Sequence, residues 1–109
     1  MNKILSVLDD LMLDNTDDVA MKLASDFRTR RIEKNFTREY VAQRSGVAVS
    51  NIVRFERTGL ISLKNLIAIA VVMGYASEIK DVFAEPKYST MEELAEIRKN
   101  AGKKKAYRS

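Results

Sequence analysis

Apolar residues recur at helical spacing along most of the chain, and no stretch shows the sustained two-residue alternation of a half-buried strand. With one proline and four glycines in 109 residues, the pattern predicts an all-α fold. In chain order, the first predicted element is an amphipathic arm from Ile4 to Met12 that ends at Asp14 to Thr16, and the second is a helix from Asp17 and Asp18 to near Asn35. Five further helices are predicted: one capped by Thr37 that ends at Ser45, one from Val49 to Arg57, one capped by Ser62 from Leu63 to Met73, one from Ser77 to Phe83, and one capped by Thr90 from Met91 to Asn100.

The same spacing predicts which side chains point into the core. The predicted core residues are Val19, Leu23, Phe27, Ile32, Val41, Val47, Ile52, Phe55, Tyr75 and Phe83. Pro86 is expected to close the compact part. The resulting organisation is an N-terminal arm over residues 1–16, a compact domain over 17–86, and a C-terminal helix with a basic tail over 87–109.

The segment from Leu66 to Met73 is apolar on every side, so a helix there needs cover on two faces. Two kinds of cover fit the sequence. The amphipathic arm of the same chain is one, and a second copy of the chain, in a homodimer, is the other. We favour the homodimer, because a single small domain seldom makes enough contacts for tight binding of an extended partner.

Composition removes most kinds of chemistry. The chain has no cysteine and no histidine, so thiolate nucleophiles, histidine general bases and the commonest zinc ligands are absent. We therefore expect no enzyme activity, no metal site and no cofactor. The longest apolar run has eight residues, too few to span a bilayer, and no signal peptide is visible. The expected location is the cytoplasm.

Charge is segregated along the chain. Residues 1–18 carry a net charge of −4, residues 19–59 carry +5, residues 60–86 carry −1, and residues 87–109 carry +4. A basic middle and a basic tail in a chain of net charge +4 favour a polyanionic partner such as nucleic acid. A solvated surface of mixed charge explains the totals equally well, so the local pattern has to decide.

That pattern is most informative between Thr37 and Gly59, which reads TREYVAQRSGVAVSNIVRFERTG. Two short helices with a glycine turn between them, and the small Ala42 where the helices approach, describe a helix-turn-helix. From about Val19 to Phe83 the chain resembles the phage-repressor-like, xenobiotic-response-element family of bacterial regulators. The resemblance implies a five-helix, lambda-repressor-like domain that binds double-stranded DNA.

The resemblance also implies roles for individual residues. A helix that starts near Val49 would lie in the major groove, with Val49, Ser50 and Arg54 at the family's base-reading positions. Arg54 would contact guanine and Val49 a thymine methyl. Asn51 would face either a base edge or a phosphate.

Arg38 and Arg44 are the candidate phosphate contacts, and Arg57 is a weaker one. Arg31 and Glu56 match a structural ion pair of the family that joins the first core helix to the reading helix. The chain departs from the family pattern at three positions. Arg38 stands where glutamine is common, Val49 replaces a polar reader, and Ala48 stands where serine or threonine often caps the helix. Ser50 is an alternative cap, which would start the helix two residues later.

The tail is open to three interpretations. Its basic residues, from Arg98 to Arg108 without an acidic one, could follow DNA phosphates, bind an acidic partner protein, or only keep the chain soluble. The segment from Tyr88 to Leu94, with the basic end, resembles C-terminal extensions of antitoxins of high-persistence-type kinases. The sequence thus predicts a dimeric, DNA-binding repressor, with an antitoxin that neutralises a kinase or nuclease toxin as the alternative.

Overall fold

The computed structural model describes residues 15–107, and within that range it holds six helices and no strand. This confirms the all-α prediction. The predicted arm from Ile4 to Met12 lies outside the described residues. The helices are α1 (Thr16–Glu33), α2 (Arg38–Ser45), α3 (Val49–Thr58), α4 (Leu63–Val72), α5 (Ala76–Lys80) and α6 (Met91–Lys99).

Polar side chains cap four of these helices, and three of the caps, Thr37, Ser62 and Thr90, are those that the sequence predicts. Asn15, Thr37, Ser62 and Thr90 each accept a hydrogen bond from a backbone N–H of the first turn, at 2.8 to 3.1 Å. Helix α3 is different, because its N-cap is Ala48, which has no side chain able to accept. The helix still begins at Val49, so the alternative cap at Ser50, with its later start, is wrong.

The chain forms two compact units, one ending at Ile79 and one beginning at Lys80. The core of the first unit joins α1 to α4 and consists of Ala24, Val41, Val47, Ile52, Phe55, Ile69 and Met73. Within this unit α1 packs on α3, and α2 packs on both α3 and α4. In the second unit, no residue from 80 to 107 is buried.

Glycine is required where α3 ends. Gly59 has a φ of +77°, and a Cβ there would lie 3.0 Å from the backbone carbon of Ala20 on α1. Only a residue without a side chain lets these two backbones approach so closely in a left-handed conformation. Gly59 therefore fixes the contact of α1 with the end of α3.

Three of the predicted core residues of α1, Val19, Leu23 and Ile32, are exposed. The inward face holds Ala24, Phe27 and Arg31 instead, which are spaced at three and four residues. Val19 and Leu23 lie on one flank of that face and Ile32 on the other. The prediction was wrong because it gave the large apolar side chains the inner face and did not expect an alanine and an arginine there.

The region after α4 also differs from the prediction. Tyr75 is exposed, and Phe83 is 95% exposed rather than part of the core. The helix expected from Ser77 to Phe83 is the shorter α5, followed by a turn in which the N–H of Ala84 donates to the carbonyl of Asp81 at 3.1 Å. A five-residue helix has one turn and no buried residue, so packing does not extend it.

Candidate DNA-binding surface

Helix α3 is fixed in the core by one face. Ile52 and Phe55 are buried, and the ring of Phe55 lies 5.7 Å from that of Phe27 on α1. The period of an α-helix then turns Ser50, Asn51 and Arg54 to the other side, where all three are exposed. Helix α3 thus presents a hydroxyl, an amide and a guanidinium on a rigid element.

The turn between α2 and α3 sets how the two helices meet. Gly46 ends α2 with a φ of +78°, and the hydroxyl of Ser45 accepts from the N–H of Val47 at 3.1 Å. Val41 on α2 and Val47 in the turn are both buried. Two helices of eight and ten residues, joined by a turn that is packed into the core, have the architecture of a helix-turn-helix.

The predicted base-reading residues lie together at the outer face of α3. Val49 begins the helix and is partly buried, whereas Ser50, Asn51 and Arg54 are exposed. Asn51 and Arg54 also line a groove of about 340 Å³ with the segment that leads into α4. That groove includes Asn65, in the first turn of α4, which the sequence did not single out. The only signal for it was its place three residues after the Ser62 cap.

Glu56 lies at the inner edge of α3, and its carboxylate is bound by arginine. Arg31 donates through Nε to Oε2 at 2.8 Å and through Nη2 to Oε1 at 3.1 Å. The side chains of Arg31 and Glu56 are only 8% and 3% exposed, so this bidentate pair is nearly excluded from water. It joins α1 to α3, with the partners that the resemblance implied.

Arg38 lies where the sequence did not predict it. Its Nε donates to Oε1 of Glu56 at 3.1 Å, and its Nη2 lies 3.0 Å from the same oxygen. The Arg38 side chain is 39% exposed. The first residue of α2 is therefore fixed against α3, a contact between residues 18 positions apart that no local pattern reveals.

Arg44 is oriented by aromatic rings. Its guanidinium carbon lies 4.8 Å from the centre of the Tyr40 ring, which itself lies 4.5 Å from the ring of Phe36. Tyr40 and Arg44 are four residues apart on one side of α2, and Phe36 precedes the helix and packs against Tyr40. Arg44 and Arg57 are both exposed, at the ends of α2 and α3.

Comparison with known proteins identifies the same region. Residues 27–79 match the sequence profile of the helix-turn-helix family. The match covers α2, α3 and α4 and supports a DNA-binding transcriptional regulator, as the sequence predicts. No curated protein and no solved structure matched the chain. Between residues 15 and 107, no helix is long and apolar enough to cross a membrane.

Proposed function

We propose that the chain is a sequence-specific repressor that inserts α3 into the major groove of its operator. The observation that carries the proposal is the outward face of α3, where Ser50, Asn51 and Arg54 are exposed while Ile52 and Phe55 hold the opposite face in the core. A major groove admits one α-helix, and its edges distinguish all four base pairs. A rigid helix can exploit that difference because its backbone needs no ordering on binding.

Each side chain has a role that suits its chemistry. Arg54 makes a bidentate contact to guanine, Val49 touches a thymine methyl, and Ser50 and Asn51 bond to base edges or to the adjacent phosphate. Arg44 and Arg57 contact phosphates, which position the domain without reading sequence. Asn65 shares a groove with Arg54 and adds an amide donor to the same strand of DNA.

The test is selection from a pool of random duplexes at physiological salt. A dimeric reader enriches an inverted repeat whose half-sites are about 10 base pairs apart, because two copies of α3 must enter successive major grooves on one side of the duplex. Enrichment of no sequence, with binding that disappears on modest addition of salt, would mean that the basic surface is a non-specific anchor.

Dimerisation is supported by a stripe of exposed apolar side chains on α4. Leu63, Ile67 and Val71 are spaced four residues apart and are all exposed, and Lys64 is the only charged residue of the helix. Such a stripe is self-complementary when two copies of one helix meet across a twofold axis. Two copies joined in this way would present two reading helices to the two halves of an inverted repeat.

Two substitutions of equal exposure separate this interface from a general effect of surface charge. Ile67 is 40% exposed and Met21, on α1, is 41% exposed. Ile67→Glu should convert the dimer into monomers in analytical ultracentrifugation, whereas Met21→Glu should leave the dimer intact. A wild-type monomer at micromolar concentration, or a dimer that tolerates Ile67→Glu, would contradict this interface.

A second candidate function is that of an antitoxin which binds a kinase or nuclease toxin and regulates its own operon. It is favoured by the unit from Lys80 onward, where Phe83, Tyr88, Met91 and Tyr107 are exposed. Exposed aromatic and methionine side chains are typical of protein interfaces. The basic residues around them suit an acidic partner.

Co-expression tests this candidate directly. If a kinase or nuclease gene lies beside the gene for this chain, the wild type should restore growth that the neighbouring product arrests. Phe83→Ala combined with Tyr107→Ala should abolish rescue without changing operator affinity, and Glu85→Gln, at an exposed neighbour, should preserve rescue. Rescue that is insensitive to the paired alanines would remove this unit from the toxin interface.

A further inference from the structure

Glu56 is surrounded by three guanidinium groups rather than one. Besides Arg31, the Nη2 of Arg38 lies 3.0 Å and the Nε of Arg28 lies 3.9 Å from Oε1 of this carboxylate. Three positive charges thus face one negative charge, which leaves a net charge of +2 on what we call the Glu56 cluster, Arg28, Arg31, Arg38 and Glu56. One arginine already balances the charge of the carboxylate, so the other two guanidinium groups add positive charge that no acidic partner in the cluster offsets.

Arg31 accounts for the structural part of the cluster. Its Nε and Nη2 donate to Glu56, and its Nη1 donates to the carbonyl of Phe36 at 2.9 Å. All three of its nitrogens therefore have partners, and the side chain is buried. Because it is buried, Arg31 is out of reach of a ligand at the surface.

Arg28 and Arg38 differ from Arg31 because both reach solvent. Their side chains are 57% and 39% exposed. Arg38 donates to Glu56 from Nε and approaches it through Nη2, so part of its five-donor fork stays free. Both guanidinium groups lie within 4 Å of the same oxygen, which keeps two like charges close together at the surface.

We propose that Arg28 and Arg38 bind one phosphate of the DNA backbone together, with Glu56 as the positioning residue that holds them in place. The inference rests on the proposed function. A phosphodiester carries one negative charge and accepts from guanidinium forks, so it relieves the repulsion between the two arginines. DNA is the favoured source of the phosphate because Arg38 begins α2 and Glu56 lies on α3, the two helices of the helix-turn-helix.

The experiment measures affinity for a selected operator against salt concentration. Arg28→Gln with Arg38→Gln should lower affinity on the order of fivefold at about 0.15 M salt and reduce the salt slope by about one, the value for one phosphate. Arg30→Gln is the matched control. This change removes a guanidinium from α1, the helix of Arg28, but Arg30 pairs with the exposed Glu33 at 2.8 Å. It should therefore change the affinity and the salt slope less than the double variant does.

Two further variants test the positioning role. Arg38→Lys keeps the charge but replaces the fork with a single ammonium, so affinity should fall severalfold while the salt slope stays unchanged. Glu56→Gln should also weaken binding, although the protein becomes more positive, because the counterion that fixes Arg38 is lost. Circular dichroism shows whether each variant is folded at the temperature of the binding assay. If Glu56→Gln is unfolded there, the affinity of Arg38→Lys tests the shared phosphate contact instead.

Several results would overturn the inference. The first is that Arg28→Gln with Arg38→Gln changes the affinity and the salt slope no more than Arg30→Gln does. The second is that this double variant lowers the slope by about two, which means that the two arginines contact separate phosphates. The third is that Arg38→Lys binds the operator as tightly as the wild type. Each of these results leaves operator binding by the wild type intact. If the wild type itself selects no operator, the proposed function fails first, and the two failures are therefore distinguishable.

Discussion

At the scale of single residues, the fold depends most on a polar contact inside an otherwise apolar core. The charged side chain of Arg31 is buried, and every nitrogen of its guanidinium donates to Glu56 or to the backbone. Charges so far from water are tolerated only when they are paired and fully hydrogen-bonded. Breaking the pair from one side therefore costs more than the pair itself contributes.

Glu56→Ala should lower the free energy of unfolding by about 3–5 kcal/mol, because it strands the buried charge of Arg31. Urea denaturation followed by circular dichroism measures the change. Glu33→Ala is the control, since it removes a carboxylate that pairs with Arg30 at the surface, where the loss should stay below about 1 kcal/mol. Equal losses in the two variants would contradict a structural role for the buried pair.

The sequence predicts one partner of Glu56 and not the others, for a physical reason. Arg31 was identified through its resemblance to a family pair. The approach of Arg28 and Arg38 depends on how α1, α2 and α3 pack, and the contacts join residues 28 and 18 positions apart. Periodicity reports which face of a helix is apolar, but it does not report which exposed arginines converge on one carboxylate.

At the scale of helices, the residues that begin a helix can be predicted from the sequence, but the face that it buries is harder to predict. Capping follows from the chemistry of the cap residue alone, and for this reason Thr37, Ser62 and Thr90 were found from sequence. The inner face of α1 depends on its neighbours. Ala24 is buried there, and Ala20 lies against Gly59 of the α3 terminus, so small residues occupy the face that large apolar ones were expected to fill.

Gly59→Ala should destabilise the first unit by more than Gly46→Ala does. The two glycines have nearly equal φ angles, +77° and +78°, so the backbone cost of about 1 kcal/mol is shared. A methyl group at Gly59 also meets the backbone of Ala20 at 3.0 Å, whereas one at Gly46 meets nothing within 4 Å. Thermal denaturation of both variants measures the difference, and equal melting temperatures would rule out the close approach.

Ala48→Ser should stabilise the protein by about 1 kcal/mol. Ala48 already has the extended backbone of an N-cap, with φ −60° and ψ 140°, but no side-chain oxygen. A serine hydroxyl would accept from an N–H in the first turn of α3, as that of Ser62 does in α4. Chemical denaturation measures the gain, with Ser62→Ala as the reverse change at a helix that is capped. A loss of stability in Ala48→Ser would show that the start of α3 is strained.

In the molecule as a whole, positive charge and exposed aromatic side chains lie in different segments of the chain. The segment from residue 19 to 59 carries a net charge of +5 and includes the candidate DNA-binding helices. The described residues from Lys80 onward bury no side chain and expose several aromatic ones. The basic charge of the first segment was predicted from the sequence. Phe83 was predicted to lie in the core, because hydrophobicity alone does not show whether another helix is available to cover a side chain.

We propose that Arg54 on α3 reads a base while Arg44 on α2 contacts the DNA backbone. Selection from random duplexes with Arg54→Ala, with Arg44→Ala and with the wild type tests these two roles. We predict that Arg54→Ala loses base preference at one position of each half-site, with about 1–3 kcal/mol less discrimination there. Arg44→Ala should retain the whole motif but bind every sequence more weakly. Motifs that are identical for the wild type and Arg54→Ala would contradict the claim.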